Sequence, residues 1–428
     1  RQQLPIALLQ TAKNQLGVPT RAAAGFMQYF AGEGCWPNYF TPPVTLNNYW
    51  ASGMYAGALK DAQNIIEQAI AENQPYYRGI ARILLAENYG RLASILGEVP
   101  FSEALSGNAQ LQPAYDTQQE VYAGVQTLLD EAIIDLQQAP VDGGPGTDDL
   151  IFGGNAESWI ATAYALKARY TMHLSRRDSQ APQKTLQLIA EGAFRSPQEQ
   201  PNFQWDRSEG AENPLATYAI NRPNTMLIDD RFQTWISNRQ DPRRAQYMVD
   251  RSFSWDYFDA NNPLYWSAPD ASIPLISYTE LMFLQAEALL LSGAPDSEVE
   301  IALKTAVESN LTELGVPGTD ISTYLDQYTL IAPNATEEEK HEQIITEAYF
   351  CYFGMAFQQS WTNFRRTGYP ALQPDPNSVN SYNPRGIIPK RMLYPESEQT
   401  TNRLNWEAAK MRQGGALLDA DTWAFADF

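Results

Sequence analysis

Helical periodicity runs through most of this chain, and it limits the fold more than any other feature. Apolar residues recur at three- and four-residue spacing over about 4–16, 45–72, 76–96, 117–138, 155–176, 183–194, 277–292, 296–314 and 337–365. Several of these segments have readable ends: Pro75 before one start, Asp116-Thr117 as a cap before the next, and Gly293 just past 277–292. Strand-like runs are short and scattered. The spacing therefore predicts a mainly α fold, a tetratricopeptide-like helical-repeat scaffold with long irregular loop insertions. One repeat is partly legible in 155–197, where Ala190 and Phe194 keep the A-x-x-x-F spacing and Pro197 follows. We read residues 1–428 as a single domain. Its repeat core covers about 45–195 and 277–365, its irregular insertion about 196–275, and its irregular C-terminal segment about 366–428. Within the insertion only a short helix near 225–239 is expected. Loops this long and this rich in aromatics are more often functional than disordered.

Charge narrows the partners. Thirty Lys and Arg against fifty Asp and Glu give a net charge of −20. Binding a phosphate backbone needs clustered cations, so no nucleic-acid partner is expected. The same field disfavours sulfated or uronate-rich ligands unless a local basic patch overrides it. No run approaches the roughly 18 apolar residues of a membrane span. The chain opens at Arg1 without an initiator Met, and the expectation is a processed form whose targeting signal lies outside it.

Most reaction chemistry lacks its parts. There is no G-x-S-x-G, no Walker or dinucleotide glycine pattern, and only His173 and His341 as imidazole bases. His341-Glu342 begins like a zincin helix, but Ile345 stands where a ligand is needed. No metal and no cofactor are expected. Cys35 and Cys351 could form one bridge or remain two thiols. Glu280 and Glu287, seven apart on one helix, stand about 10 Å apart by helix rise. That is too far for a retaining glycosidase pair, so they read as a solvated or salt-bridged repeat face. The protein is expected not to be an enzyme.

The aromatics carry the functional signal. Trp50, Trp159, Trp235, Trp361 and Trp406 fall in periodic segments and Trp423 in the tail, and all six read as core. Trp36, Trp205, Trp255 and Trp266 stand in loops beside polar or proline neighbours. A flat apolar ring next to hydrogen-bonding side chains suits a sugar ring, which offers a C–H face to stack and hydroxyls at its rim. The expected ligand-binding set is Trp36, Asn38, Tyr39, Trp205, Trp255, Tyr257, Tyr265 and Trp266. Trp36 and Tyr39 are expected on the same face as the 196–275 insertion.

Six motifs in order resemble the SusD/RagB family. They are Tyr89-Gly90-Arg91-Leu92 through Leu96-Gly97-Glu98-Val99-Pro100-Phe101-Ser102-Glu103-Ala104-Leu105; Trp159 to Arg169; Asp241-Pro242-Arg243; Tyr278-Thr279-Glu280 with Ala286-Glu287-Ala288; Arg365-Arg366-Thr367-Gly368-Tyr369-Pro370; and Pro389-Lys390-Arg391 with Tyr394-Pro395-Glu396 and Asn402. The likeness covers nearly the whole chain. It implies a cell-surface lipoprotein of the Bacteroidetes outer membrane, held by an N-terminal lipid anchor that is not in this chain. Such a protein captures oligo- or polysaccharide and passes it to a SusC-type TonB-dependent transporter. An oligopeptide receptor in the same kind of complex is the alternative, and a glycosidase a distant third. The motif residues themselves read as scaffold, with Arg365, Arg366 and Arg391 expected to pair with acids of the repeat helices. The family's ligand site lies in variable loops, so the resemblance assigns no site residue.

Overall fold

Short polar signals start the helices in the computed structural model, which describes residues 3–140, 143–248 and 266–426. Helices α1 (Gln3–Gln15) and α2 (Val18–Phe26) lead to a two-residue strand, β1 (Phe30–Ala31). A π-helical stretch, Tyr49–Ala58, runs into α3 (Leu59–Ala71). Helix α4 (Pro75–Leu96) carries Pro75 in its first turn, where no intrahelical N–H is needed. Helix α5 (Gln118–Leu136) opens with a capping box between Thr117 and Glu120. The Asn155 side chain accepts from the Ser158 N–H at 3.1 Å to start α6 (Ala156–Met172), and α7 (Ala181–Gly192) follows.

The insertion contributes β2 (Asn202–Phe203), α8 (Pro214–Asn221), β3 (Leu227–Ile228), α9 (Asp230–Asn238), α10 (Arg244–Tyr247) and β4 (Ile273–Pro274). The scaffold resumes with α11 (Tyr278–Leu291), α12 (Asp296–Glu313), α13 (Gly318–Tyr328), α14 (Glu337–Cys351) and α15 (Phe357–Thr367), and closes with α16 (Glu398–Thr401) and α17 (Arg403–Arg412). From α3 to α7 each helix packs on the next; α11 then lies against α6 and α7, and takes α12 and α14 on its other side. This is a helical-repeat scaffold of tetratricopeptide-like type. Two small antiparallel pairs tie the insertion down: Phe30 opposite Ile228, and Asn202 opposite Pro274.

Two expected helices are broken. The 45–72 segment is kinked at Gly57 (φ −106°, ψ −112°), where π and α geometry meet. The 337–365 segment divides around Gly354, which has φ +80° and stands where a Cβ would lie 2.5 Å from the Cβ of Trp266. Helices α2, α8, α10, α13, α16 and α17 lie outside the expected segments, the last two within the C-terminal segment read as irregular. Phe194 is buried, but Ala190 faces solvent, so the A-x-x-x-F spacing does not mark two packed positions here.

Buried ion pairs, rather than a solvated face, join the repeats. Arg169 of α6 grips Glu280 of α11 with two parallel bonds, Nε–Oε1 at 2.6 Å and Nη2–Oε2 at 2.8 Å, and reaches Glu87 of α4 at 3.0 Å. Glu87 also accepts from Arg91 Nε at 2.6 Å and the Tyr170 hydroxyl at 2.7 Å. Two turns along α11, Glu287 accepts from Arg366 Nη2 at 2.6 Å and lies 2.7 Å from His341 Nε2. Arg366 thus pairs with an acid as expected, whereas Arg365 and Arg391 do not. Arg365 donates to the carbonyls of Trp361 and Lys390 at 3.3 Å each, and its guanidinium lies 3.7 Å from the Trp361 ring centre. Arg391 donates to the Met392 carbonyl at 3.2 Å and lies 5.0 Å from the Tyr394 ring. Carbonyl dipoles and ring faces stand in for carboxylates at both.

The interior fixes a pH response. His173 is buried between the Tyr122 hydroxyl and Gln359 Oε1, each at 3.0 Å. Burial, ahead of the nearby arginines, holds its pKa well below the histidine range, so it is neutral in the fold. Unfolded, it takes up a proton near pH 6.5. The unfolded state therefore binds more protons below that pH, and stability falls as pH drops. Burial alone would raise the Glu287 pKa, but Arg366 and His341 bring it down to about 2, which extends the loss below about pH 4.5. Urea unfolding should show a loss of about 1.2 kcal/mol between pH 7 and 5.5. His173→Gln should remove most of that first step. A wild-type midpoint flat over this range would contradict the assignment.

Candidate ligand-binding face

The loop over 32–41 is held from beneath by close backbone approaches. A Cβ on Gly25 would stand 1.8 Å from the Cys35 carbonyl oxygen, so only glycine lets α2 pass under the loop. Gly34 fits under the Tyr218 hydroxyl and donates its N–H to the Thr225 carbonyl at 2.8 Å. The Arg21 Nη1 of α2 donates to the Gly34 carbonyl at 2.9 Å. Trp36 and Tyr39 both adopt left-handed backbone, φ +49° and +60°, and are joined by a Tyr39 N–H to Trp36 carbonyl bond of 2.8 Å. Left-handed non-glycine residues each cost on the order of 1 kcal/mol and persist only where the surroundings dictate them. Both cysteines are free and buried, and burial pushes each thiol up to about 12, so neither is a reactive thiolate.

Tyr39 is the anchor of the loop and not part of its outer face. It is fully buried, edge-on to Phe26 at 5.9 Å, and its hydroxyl accepts from Gln28 Nε2 and the Asp375 N–H at 3.3 Å each. Trp36 is half-buried, with the Arg21 guanidinium 5.5 Å from its ring centre. Asn38 is exposed and accepts from the Phe40 N–H at 3.3 Å.

Trp205 and Trp266 are core, against expectation. Trp205 is 2% exposed and packs edge-on against Phe203 at 4.9 Å. Trp266 is 3% exposed, lies against Phe30 and Phe353, and donates to the Tyr247 carbonyl at 3.3 Å. Neither offers a ring face to solvent, because the insertion folds back onto the scaffold through its two strand pairs. Trp255, Tyr257 and Tyr265 lie outside the described residues. Trp423, expected in the core, is 36% exposed with Arg177 over its ring at 5.5 Å.

The insertion does meet the Trp36 loop, but through a residue that sequence reasoning missed. Tyr218 of α8 stacks on Arg21 with the guanidinium 3.6 Å from its ring centre, so one arginine links Tyr218 to Trp36. The signal for α8 was present in Asn213-Pro214, an Asn cap whose Oδ1 accepts from the Leu215 N–H at 2.9 Å. A second aromatic pair stands close in sequence: Phe40, 40% exposed, lies 5.8 Å from Tyr382 of the C-terminal segment. The loop thus offers the part-exposed rings of Trp36 and Phe40 and the exposed amide of Asn38, with the buried Arg21 guanidinium behind Trp36. Among the described residues no His, Cys, Asp and Glu grouping could hold a metal ion, and no helix is long and apolar enough to cross a membrane. Glu280 and Glu287 are locked by arginines and have no freedom for acid–base work.

A helical-repeat scaffold that displays rings, amides and cations on irregular loops defines a SusD-type protein. The chain belongs to the SusD-like_2 family, described as starch-binding associating with outer membrane, whose model matches residues 4–395. Among solved structures it is similar to a chitin-binding protein, at 22% identity over 99% of both chains with a TM-score of 0.83. It is also similar to a SusD/RagB family protein from Bacteroides thetaiotaomicron, at 24% identity over 100% of this chain and 99% of that one, with a TM-score of 0.77. A chitin-binding SusD homolog from Flavobacterium johnsoniae is 18% identical over 99% of both chains, with a TM-score of 0.79. No curated protein matches the sequence.

Burial separates the tryptophans experimentally. Trp205→Ala and Trp266→Ala should each cost about 3–5 kcal/mol in urea unfolding, and Trp36→Ala clearly less. Equal losses at all three would return Trp36 to the core.

Proposed function

We propose that this protein is a non-enzymatic cell-surface receptor that captures oligo- or polysaccharide and hands it to a SusC-type TonB-dependent transporter. An N-terminal lipid anchor outside this chain would hold it at the outer membrane. The observation that carries the reading is the Trp36 loop, where strained backbone and a buried Tyr39 present an exposed Asn38 and a half-buried indole that Arg21 links to Tyr218. A scaffold spends such strain only where a ring must be held for something to cover it. Trp36 and Asn38 are assigned to the ligand, together with Trp255, Tyr257 and Tyr265 as further contacts. The net charge of −20 favours a largely neutral glycan. Starch and chitin, named for the family and for two of the similar structures, are both neutral polymers.

Affinity electrophoresis against amylose, soluble chitin, mannan and fructan tests the reading. Binding to at least one is expected, weakened roughly fivefold by Trp36→Ala, the loss of one stacked ring. Retention of none of these glycans, with peptides recovered instead from a peptide pulldown, would sink it in favour of a peptide receptor. Co-purification of a large barrel protein from native membranes in mild detergent is expected, and recovery of the chain alone would count against a stable transporter complex.

A further inference from the structure

Beside the Trp36 loop lies an open hollow of about 310 Å³, lined by Lys13 at the end of α1 and by Thr217, Tyr218, Asn221 and Arg222 of α8 and its cap. That is at the lower end of the size that takes a small ligand. Its charge is opposite to that of the chain as a whole. Arg21 and Arg222 both lie over the Tyr218 ring, at 3.6 and 4.7 Å from its centre. Among the described residues neither Lys13, Arg21 nor Arg222 forms an ion pair. The carboxylate among the lining residues, Glu212, is turned to the N–H of Gly210 at 2.7 Å. Arg21 is nine-tenths buried and donates to the Gly34 carbonyl, with the Tyr218 phenol as a second partner and no carboxylate. The contrast with the scaffold is sharp: Arg91, Arg169, Arg243 and Arg366 each face a carboxylate, and Arg365 fills its fork with carbonyls and a hydroxyl. Burial, with Arg222 adding to it, lowers the Arg21 pKa against the opposing pull of the Tyr218 phenol and Cys35. Arg222 and Lys13 line the hollow while Arg21 backs the Tyr218 ring from outside the lining; with Glu212 held by the Gly210 N–H, an incoming anion would meet Arg222 and Lys13.

We infer that this hollow is a subsite for the carboxylate of a uronic-acid residue, set beside the rings that stack the glycan. A planar carboxylate matches the guanidinium fork. The neighbouring sugar can lie along the part of Tyr218 that lines the hollow, with Thr217 and Asn221 at its hydroxyls. The inference rests on the glycan-receptor reading and names a charged substituent that the overall charge argues against.

Matched probes test it: an oligogalacturonate and its methyl ester, which share a backbone and differ in charge, with maltohexaose and chitohexaose as neutral arms, all by calorimetry at 50 mM salt. The acid form is expected to bind at least tenfold more tightly than the ester, and the gap should narrow at 500 mM salt. Arg222→Gln, at an exposed position, should cost the acid about tenfold and leave the ester unchanged. Lys13→Gln, at the second cation of the lining, should weaken the acid and spare the ester in the same way. Equal affinity for acid and ester, or an equal loss on both, overturns the subsite. If the neutral hexamers still bind in that case, the receptor reading stands; if no glycan binds, both readings fall.

Discussion

The fold depends on one buried triad, Glu87–Arg169–Glu280, which bolts α4, α6 and α11 together. Three ions far from water are expensive unless every lone pair and proton finds a partner. Here the guanidinium meets two carboxylates, and Glu87 gains Arg91 and the Tyr170 hydroxyl as well. Leaving any one partner unmatched would cost about 3–5 kcal/mol, whereas a well-packed apolar replacement of the whole set could be neutral. The triad therefore specifies register more than it adds net stability. A helix shifted by one residue turns its charge away from the other two. Helix α11 repeats the device two turns on, where Glu287 takes Arg366 of α15 and His341 of α14. Five helices are thus set against one another by two acids on a single face.

That register reaches the candidate face through aromatic packing. Trp361 of α15, itself under the Arg365 guanidinium, meets Phe26 of α2 at 5.3 Å, and Phe26 meets Tyr39 at 5.9 Å. Interiors packed this closely transmit position rather than absorb it. Tyr39 accordingly fixes the loop, and Arg21 on the same α2 helix sets the distance between Trp36 and Tyr218. The irregular loops are placed by the repeat scaffold and need no secondary structure of their own.

Much of the scaffold was legible because its signals are local. Thr117, Asn155 and Pro75 announce helix starts by chemistry that acts within one turn. The break at Gly354 was not, since it answers to Trp266, distant in sequence; at Gly57 the crowding comes first from the Ser52 carbonyl in the same π-helical stretch and then from distant Gln10. The site was half legible for the same reason. Trp36 and Trp205 look alike in sequence, each in a loop with polar neighbours, but only strand pairing and long-range contacts decide which ring is covered. Tyr218 drew no attention because a single tyrosine on a short helix is unremarkable until Arg21, almost two hundred residues earlier, is seen beneath it. Arg365 and Arg391 show a further limit: a buried cation implies a partner, but not whether that partner is a carboxylate, a carbonyl or a ring.

Overall charge bears on the ligand as a whole, and local charge on a single subsite. A net charge of −20 is a sum over 428 residues, while ions screen exposed charges beyond a Debye length of about 8–10 Å at physiological salt. Most of those acids lie further than that from any one sugar. Arg222 lines the hollow itself, and Arg21 stands against the same ring out of water, where a field is screened least. A ligand in that hollow responds to them first. On the proposed subsite the acidic surface has a separate effect: it would repel polyanions from the rest of the molecule, so that a glycan with a few carboxylates would be held at one place and a densely charged one turned away.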